Sequence, residues 1–433
     1  MKFTKTLIAA SLAFVSADTF AAAFQLAEQN VSGLGRAYAG EASVADDASV
    51  VARNPALMTL FKEKQLSVAA IAVIPDVSLT GTGNAYGLDN SVLNDDSIAP
   101  SAIIPAGYFT MPVNDKVSVG FGAFSNFGLA TEFNDDYAAG QIAGETEIVT
   151  VNMNASVAYK VSEQFSFGIG LNAIYAEAKI IRKFGFVPPV NPAIASIPAS
   201  ADAVNLEGDD MGYGLNVGLM YQLDENSRFG FNYRTETDIT FEGEYSNELP
   251  SFIPGGLNGQ LELPGSVEIT LPAIAEFSGS HQLDEKLGVH YSVLWTGWSS
   301  FDSLEAQVTA PTGDKFSAFE KTEDFSDAMR YSIGADYQYS ENLMLRAGFA
   351  FDESPVSQQH LSISIPDTDR FWFSFGGNYA IDQNSNVDLG VSVLRGKTQK
   401  FTEKVESETL PQQWSFESKG HAVLIGAQYN YTF

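Results

Sequence analysis

Histidine and cysteine are the residues that most often carry nucleophilic and metal chemistry, and this chain of 433 residues has four histidines and no cysteine. No two histidines have the i, i+4 spacing that binds a metal on a helix. Ser280 and His281 are neighbours, but adjacent residues of a strand point to opposite faces and cannot act as nucleophile and base. No G-x-S-x-G motif or phosphate-binding loop occurs. We therefore expect no enzyme, no metal site and no cofactor. The isolated histidines are His281, His290, His360 and His421.

Acidic residues outnumber basic ones by 53 to 24, which gives a formal net charge of −29. Nucleic-acid binding needs a basic surface, so this balance argues against a nucleic-acid partner. The acids concentrate in predicted loops, as in residues 94–96, 134–136 and 207–210. Solvated loops explain such runs. A divalent-cation site near lipopolysaccharide stays open as an alternative.

The first residues have the three parts of a secretory signal. Lys2 and Lys5 precede a short apolar run, Leu7 to Val15, and Ala21 to Ala23 offer a cleavage site. The apolar run is shorter than the roughly 20 residues that span a bilayer. We predict a signal peptide at residues 1–21 and a mature start near Ala22.

Alternating apolar and polar residues recur through the rest of the chain. Phe165 to Tyr175, Tyr213 to Tyr221 and Val423 to Phe433 each place apolar residues on one face and mostly Gly, Ser or Asn on the other. A soluble β-sandwich would have an apolar inner face and a charged outer face. The pattern instead predicts an all-β, transmembrane antiparallel β-barrel in the outer membrane of a Gram-negative cell.

Predicted connections alternate between short and long. Bacterial barrels have short periplasmic turns and long external loops, so six turns and seven loops predict about 14 strands with both ends in the periplasm. The turns are predicted near residues 114–115, 162–163, 224–226, 284–285, 340–342 and 382–384. The loops are predicted at about 79–99, 132–146, 183–210, 244–261, 311–325, 352–368 and 401–413.

Residues 22–63 do not follow the strand pattern, and residues 64–433 form the predicted barrel. The first stretch is rich in Gly and Ala, has few charges and contains Phe24, Tyr38 and Leu57, which favour burial. It predicts a hatch inside the barrel, because wide barrels have a lumen to fill. A disordered periplasmic extension is the alternative. The four tryptophans, Trp295, Trp298, Trp372 and Trp414, suggest aromatic girdles at the membrane interfaces.

Several long runs resemble the long-chain fatty acid transporter FadL family in the order in which they occur. They are Ala23 to Leu26, Ser32 to Arg36, Ala42 to Asp47, Arg53 to Ala56, Ser125 to Phe133, Asn172 to Arg182, Phe319 to Arg330 and Ser362 to Trp372. The resemblance implies a 14-stranded barrel with a hatch, inserted by the outer-membrane assembly machinery and acting as a monomer. It implies passive uptake of fatty acids from an external groove to a luminal pocket, then lateral release beside a kinked third strand.

The same resemblance assigns roles to particular residues. Arg182 and Lys321 would hold the ligand head group, and Phe24 would occupy the pocket when no ligand is bound. Asn54, Pro55 and Ala56 would tie the hatch to the wall beside the kink. The kink and lateral gap would lie at Ser125, Asn126, Phe127 and Gly128, within a third strand from Lys116 to about Thr131. Loop 183–210 departs from the family in length and composition, so we expect the entry groove and the substrate range to differ from those of the family.

Other functions remain open from the sequence. A hydrocarbon transporter of the same superfamily would keep the hatch but would not need two cations at one place, because a neutral ligand gains nothing from a buried charge. A general porin would have an open lumen, which the plug-like first segment disfavours. An adhesive barrel or a phage receptor would use the exposed loops.

Overall fold

The computed structural model describes residues 23–188, 192–405 and 412–433, and the predicted signal peptide lies outside them. Twenty β segments make one antiparallel sheet. They are β1 (Gln65–Asn84), β2 (Ala102–Pro112), β3 (Val117–Phe124), β4 (Gly128–Glu132), β5 (Gly144–Lys160), β6 (Phe165–Lys183), β7 (Asp202–Gln222), β8 (Ser227–Arg234), β9 (Thr237–Ser246), β10 (Leu263–Leu271), β11 (Ile274–Gln282), β12 (Leu287–Thr296), β13 (Ser303–Thr309), β14 (Lys315–Thr322), β15 (Ala328–Ser340), β16 (Leu343–Asp352), β17 (Arg370–Ala380), β18 (Ser385–Gly396), β19 (Gln399–Val405) and β20 (Gln412–Thr432).

The segments build a closed barrel of 14 strands, as predicted. Six wall strands are each interrupted once, so that β3 with β4, β8 with β9, β10 with β11, β12 with β13, β14 with β15 and β18 with β19 each make one strand. The first and last strands close the wall through a long ladder from Gln65 opposite Thr432 to Asn84 opposite Trp414. Closure leaves no free sheet edge at this seam.

All six predicted short turns are confirmed, because each falls between two consecutive strands. Four predicted loops are wrong in extent by five residues or more. Residues 79–84 belong to β1, residues 202–210 to β7 and residues 401–405 to β19, and Lys315–Thr322 forms β14. The connections after β1, β6 and β13 are therefore only 85–101, 184–201 and 310–314. The acids of residues 207–210 are therefore strand residues. Strands that project beyond the membrane no longer need an apolar outer face, so their polar sequence is easily taken for a loop.

Outward faces are apolar through the middle of the wall, as lipid contact requires. Exposed side chains there include Leu171, Leu215 and Ile425. The predicted tryptophan girdle is wrong for three of the four tryptophans, since Trp298, Trp372 and Trp414 are fully buried. They point inward because the lumen contains apolar surface that large rings can cover. The fourth, Trp295, is half-buried and donates to the Asp327 carboxylate at 3.0 Å.

The N-terminal segment (residues 23–63) precedes β1 and is almost entirely buried up to residue 58. It contains two single-turn helices, Val31–Leu34 and Val50–Arg53, and a 3-10 helix, Pro55–Leu60. Asn30 caps the first of them by accepting from Gly33 N. Further 3-10 turns are Asn90–Leu93, Ile194–Ser196 and Trp298–Ser300. Within the described ranges, no helix has the length and apolar character needed to cross a membrane.

Polar groups on the inner wall hold the N-terminal segment at many points. Val31 N donates to the Gln428 side chain of β20 at 2.9 Å, and Gly40 N donates to the Ser292 hydroxyl of β12 at 2.8 Å. On the opposite wall, Gly230 approaches Ala42 so closely that a Cβ there would lie 1.6 Å from the Ala42 carbonyl oxygen. Only glycine fits at that contact, which fixes the segment against β8.

Candidate ligand-binding site in the barrel lumen

Phe24 lies at the centre of an aromatic pocket. Its side chain is fully buried, and its ring centroid is 4.5 Å from that of Trp298, 5.4 Å from that of Phe301 and 6.1 Å from that of Phe127. Phe325 packs on the same two rings of the 298–301 turn, at 5.9 and 5.1 Å. Edge-to-face pairs at these distances are favourable. The first described residues of the chain therefore occupy an apolar space that an alkyl or aromatic ligand would also fit.

Interruptions of the wall strands supply the rings of this pocket. Phe127 lies between β3 and β4, Trp298 and Phe301 between β12 and β13, and Phe325 between β14 and β15. A regular strand turns every second side chain outward. An interruption releases that alternation, so large side chains from neighbouring positions can all face the lumen.

The third strand is broken at residues 125–127, where the sequence places the kink, and Gly128 is the first residue of β4. Beyond the break, β4 pairs with β5 alone. On the other side, β2 pairs with β3 only between Gly107 and Pro112. Within the described residues no ladder joins β2 to β4, so the wall is incomplete there.

The N-terminal segment covers the inner side of this incomplete wall. Leu26 N donates to the Asn126 carbonyl at 2.7 Å, and Gly128 N donates to the Phe24 carbonyl at 2.9 Å. Residues 24–26 thus satisfy backbone groups that a regular third strand would pair with β2. Because Phe24 belongs to the same stretch, the filling of the aromatic pocket and the edge of the gap are connected within three residues.

Side chains of β5 fix the conformation of the break. The Ser125 hydroxyl donates to the Thr150 carbonyl at 2.6 Å, and the Thr150 hydroxyl donates to the Phe127 carbonyl at 2.6 Å. Asn152 donates to the Asn126 side-chain oxygen at 2.8 Å. These buried hydrogen bonds replace the ladder that the break removes.

A chain of buried amides connects the break to the N-terminal segment. Asn152 also donates to the Asn172 oxygen at 3.1 Å, and Arg234 donates to that same oxygen at 2.7 Å. The other terminal nitrogen of Arg234 donates to the Ala52 carbonyl at 2.8 Å. The conformation around Asn126 is therefore hydrogen-bonded, through three wall side chains, to residue 52.

Asn54 anchors the N-terminal segment to the wall. Its amide nitrogen donates to the Ala42 carbonyl at 2.6 Å and to the Leu219 carbonyl of β7 at 2.9 Å. Its oxygen accepts from Ala56 N at 3.0 Å, which caps the 3-10 helix. The triplet Asn54 to Ala56 contacts the wall at β6 and β7, where Gly168 and Gly218 leave room for it, and not at the kink.

Lys321 pairs with two carboxylates whose charges also act on Arg182. Lys321 Nζ lies 3.4 Å from Glu323 and 3.5 Å from Glu403. The same two glutamates are the charged groups that act on Arg182. Arg182 is buried, donates to the Thr146 hydroxyl at 3.0 Å and has its guanidinium 5.2 Å from the centroid of the Phe319 ring.

Glu323 and Glu403 were not identified from the sequence, because in a chain this acidic two more glutamates carry little information. Glu323 is 1% exposed, and neither of its carboxylate oxygens has a hydrogen-bond donor in the described structure. Burial raises the pKa of Glu323 above its usual value and the Glu403 carboxylate raises it further, while Lys321 opposes both. Such buried polar atoms require an explanation, and a water or a ligand group between them would supply one.

The charged group and the aromatic pocket are neighbours. Phe319 and Phe325 flank Lys321 and Glu323 along the chain, and both pack in the apolar cluster that contains Phe24. One hairpin therefore presents cations and rings side by side. The arrangement suits an amphipathic ligand with an anionic head and an apolar tail.

A serine, a histidine and an aspartate also come together in the lumen. Ser280 lies 3.0 Å from His290 Nδ1, and His290 Nε2 lies 3.2 Å from Asp336. Arg36 pairs with this aspartate at 3.0 Å, so its charge already neutralises the carboxylate. Arg36 also pairs with Asp46 at 2.6 Å. The group joins the N-terminal segment to β12 and β15. His281 points outward, because adjacent residues of a strand face opposite sides and Ser280 faces the lumen, and it stacks on Tyr291.

Comparison with known proteins places the chain among transport proteins. A family model described as outer membrane protein transport protein (OMPP1/FadL/TodX) matches residues 12–433. A relative from Salmonella typhi, named long-chain fatty acid transport protein, is 42% identical over 446 aligned residues, which cover 100% of this chain and 99% of the relative.

Solved structures with low sequence identity share the fold. The crystal structure of a Pseudomonas aeruginosa FadL homologue matches with a TM-score of 0.84 at 20% identity, covering 95% of this chain and 100% of that one. The Pseudomonas putida toluene transporter TodX matches with a TM-score of 0.68 at 17% identity, covering 90% of this chain and 95% of that one.

Proposed function

Because the chain belongs to the family of outer membrane protein transport proteins (OMPP1/FadL/TodX), and so is an outer-membrane β-barrel, we propose that it carries long-chain fatty acids. The substrate class of the relative from Salmonella typhi supports this assignment. The ligand enters from an external groove, reaches the pocket around Phe24 and leaves sideways through the gap between β2 and β4.

The observation that carries the proposal is the pairing of Lys321 with two buried carboxylates whose charges also act on the buried Arg182, beside an aromatic pocket. A fatty acid carboxylate can replace either glutamate as the partner of Lys321 and can supply a direct partner for Arg182. Arg presents a planar fork to a carboxylate and Lys a point charge. The tail then takes the space of Phe24, and burying it stabilises the complex by about 0.8 kcal/mol per CH₂.

Displacement of Phe24 also explains lateral release. Residues 24–26 are hydrogen-bonded to the break at Asn126 and Gly128, so a ligand that moves Phe24 draws this backbone away from the gap. The apolar chain can then pass between β2 and β4 into the membrane without crossing water. In this proposal the N-terminal segment is a hatch that prevents straight-through flow, and the barrel acts as a monomer.

A hydrocarbon transporter is the second candidate, and the aromatic character of the Phe24 pocket favours it. A neutral ligand would use the rings and leave the two cations with their glutamates. The two candidates therefore differ in what the cations contribute to binding.

The double change Arg182→Ala with Lys321→Ala separates these candidates. It should weaken binding of a long-chain fatty acid by about 1–3 kcal/mol, the scale of a hydrogen bond to a charged group. A fatty alcohol of the same length should lose much less. Titration calorimetry on the purified protein measures both ligands.

Lys62→Ala with Lys64→Ala is the matched control, since these lysines are exposed and lie outside the site. It should leave both affinities unchanged. Equal losses for acid and alcohol in the site variant would mean that the two residues shape the pocket without reading the head group. No loss for either ligand would place them outside the site and support the hydrocarbon transporter.

The absence of cysteine makes the lateral route directly testable by cross-linking. Cysteines placed at Ile103 in β2 and Ala130 in β4 and joined by a reducible bifunctional maleimide should obstruct the gap, block uptake and leave ligand binding intact, and cleavage of the linker should restore uptake. Ala72→Cys with Ile103→Cys is the control, because those residues are already partners in the β1–β2 ladder. Normal uptake with a closed gap would rule out lateral release between β2 and β4.

A further inference from the structure

Five basic residues lie together on the outer surface of the wall, on β18, β19 and β20 and the short link between β18 and β19. We call this set the basic patch: Arg395, Lys397, Lys400, Lys419 and His421. All five side chains are exposed. Arg395 and His421 are direct partners in the β18–β20 ladder, and Lys400 is opposite Glu417 in the β19–β20 ladder. The patch is therefore continuous across neighbouring strands.

The patch begins where the lipid-facing surface ends. Along β18, Val391 and Val393 point outward below Arg395, and along β20, Ile425 and Val423 point outward below His421. Both strands reach the patch at the end that carries the long connections, and Phe433 lies at the end with the short turns. Long connections mark the external side of such barrels. The basic patch thus lies at the level of the outer-leaflet head groups.

Three carboxylates near the patch balance it only in part. Lys397 pairs with Asp369 at 2.8 Å, and Glu417 is shared by Lys419 at 2.8 Å and Lys400 at 3.1 Å. The exposed Asp76 of β1 lies opposite His421 in the β1–β20 ladder. Arg395 has no carboxylate within salt-bridge distance in the part of the chain that the structure describes. An excess of basic groups at one place is unusual in a protein with only 24 lysines and arginines and a net charge of −29.

A cleft in the wall lies between these side chains. Gly396 and Gly420 leave a depression where the β18–β20 ladder ends and the β19–β20 ladder begins, and Lys397 and His421 line it. The buried Arg370 also lines the cleft. Its Nε and one terminal nitrogen lack hydrogen-bond acceptors, although Asp352 accepts from the other at 3.2 Å and Asp367 lies 3.5 Å away.

We propose that the basic patch binds a phosphate group of a phosphorylated glycolipid in the outer leaflet. Arginine and lysine at a membrane surface attract anionic head groups, and arginine can bind phosphate through two parallel hydrogen bonds. The cleft accepts phosphate oxygens between Lys397 and His421, and the acyl chains of the lipid lie on Val393, Val423 and Ile425.

The opposite part of the wall has the reverse charge. Outward-facing acids on β5, β6, β7 and β9 line a groove that includes Glu147, Glu177, Glu207 and Glu242, with Lys179 as its basic residue. Phosphates are repelled by this side. The charge of the outer wall therefore favours phosphate at β18–β20 over the β5–β9 side. Through β1 and β2, strands β18–β20 are also the side next to the gap at β4.

The test measures binding of a phosphorylated glycolipid to the full-length purified protein. The variant is Arg395→Gln, Lys397→Gln and Lys419→Gln, and the matched control is Lys62→Gln, Lys64→Gln and Lys116→Gln, three exposed lysines near the short-turn end. Both variants lose three positive charges. The probes are bisphosphorylated lipid A, the same lipid without its phosphates, and inorganic phosphate.

We expect the patch variant to bind bisphosphorylated lipid A at least about tenfold more weakly, which corresponds to about 1.4 kcal/mol. The control should change by less than about twofold, because screened charges far from the site contribute little. Dephosphorylated lipid should bind both variants and the parent equally. Equal weakening in both variants, or no weakening in either, would overturn the proposal. If inorganic phosphate at millimolar concentration displaced the bound lipid A, this result would overturn the lipid assignment and indicate a site for free anions.

Discussion

We expect Glu323 to determine how strongly Lys321 can hold a second anion. The two side chains are 3.4 Å apart and both are largely buried. Since the pKa of Glu323 is raised, it takes up a proton at a higher pH than an ordinary glutamate, whose pKa is about 4.3. Protonation removes the negative charge that competes with a ligand for Lys321.

Binding of an anion that does not titrate should therefore strengthen as the pH falls through the raised pKa of Glu323. A long-chain alkyl sulfate remains ionised over this range, so the pH dependence reports the protein alone. Glu323→Gln should bind the sulfate at high pH about as tightly as the parent does at low pH, up to about tenfold tighter than the parent at high pH. Calorimetry between about pH 4 and pH 8 measures both proteins. The opposite slope in the parent would contradict this role of Glu323.

Asn54 is the residue that we expect to hold the N-terminal segment most strongly. Asn54→Ala removes the hydrogen bonds to the carbonyls of Ala42 and of Leu219, and the Ala42 carbonyl is left buried. An unpaired buried group costs about 1–3 kcal/mol. Hydrogen exchange of residues 40–58 should accelerate, uptake should fall and the barrel should still assemble.

Asn247→Ala is a control for that change, because Asn247 is also buried and hydrogen-bonded, but in the connection between β9 and β10. It should leave exchange in residues 40–58 unaltered. Uptake at the parental rate in Asn54→Ala, at equal surface levels, would show that the anchor has no part in transport.

At the scale of elements, the N-terminal segment should be what keeps the lumen closed. Deletion of residues 24–62 removes nearly all the buried residues that precede β1, and the strands of the wall remain paired with each other. We expect the deleted protein to form a conducting pore in planar bilayers. Heat-modifiable mobility on gels checks that the barrel has assembled. Conductance no higher than that of the intact protein would contradict a plugging role.

The wall could be predicted from the sequence because alternation and turn residues are local signals. Asp224 to Asn226 and Asp382 to Asn384 lie in turns for that reason. The extent of β7 could not be predicted from the sequence, since the external half of this strand is polar on its outward face. Trp372 faces inward because it packs against Arg330 of the wall and Tyr38 of the N-terminal segment, and a pattern within one strand holds no information on that contact.

The candidate site was predictable in part. Arg182, Lys321 and Phe24 came from resemblance to a family, and in the structure Lys321 pairs with two carboxylates whose charges also act on Arg182. Glu323 and Glu403 are 80 residues apart in sequence and meet only through the fold. Spacing alone cannot reveal the pair of glutamates. The alternation Lys321-Thr322-Glu323 does, however, place the charges of Lys321 and Glu323 on one face of the chain.

At the scale of the whole molecule, the last residue takes part in closing the barrel. Phe433 N donates to the Lys64 carbonyl at 3.0 Å, and its ring packs edge-on against Tyr431 at 4.9 Å and Phe109 at 6.2 Å. Deleting Phe433 should lower the folded, heat-modifiable fraction in the outer membrane. Phe433→Tyr keeps an aromatic terminus and should assemble normally. Unchanged levels after deletion would mean that the terminal ring is not required for assembly.

The seam between β1 and β20 joins residues 65–84 to residues 414–432, so its partners are almost the whole chain apart. Contacts of such long sequence separation form late, because the intervening chain must be ordered first. The N-terminal segment is attached directly to β1 and lies behind this seam. Synthesis therefore delivers the inner part first and the closing strand last. We infer an order of events in which the unfinished wall wraps around residues 23–63 and the seam then encloses them, so that no later threading is needed.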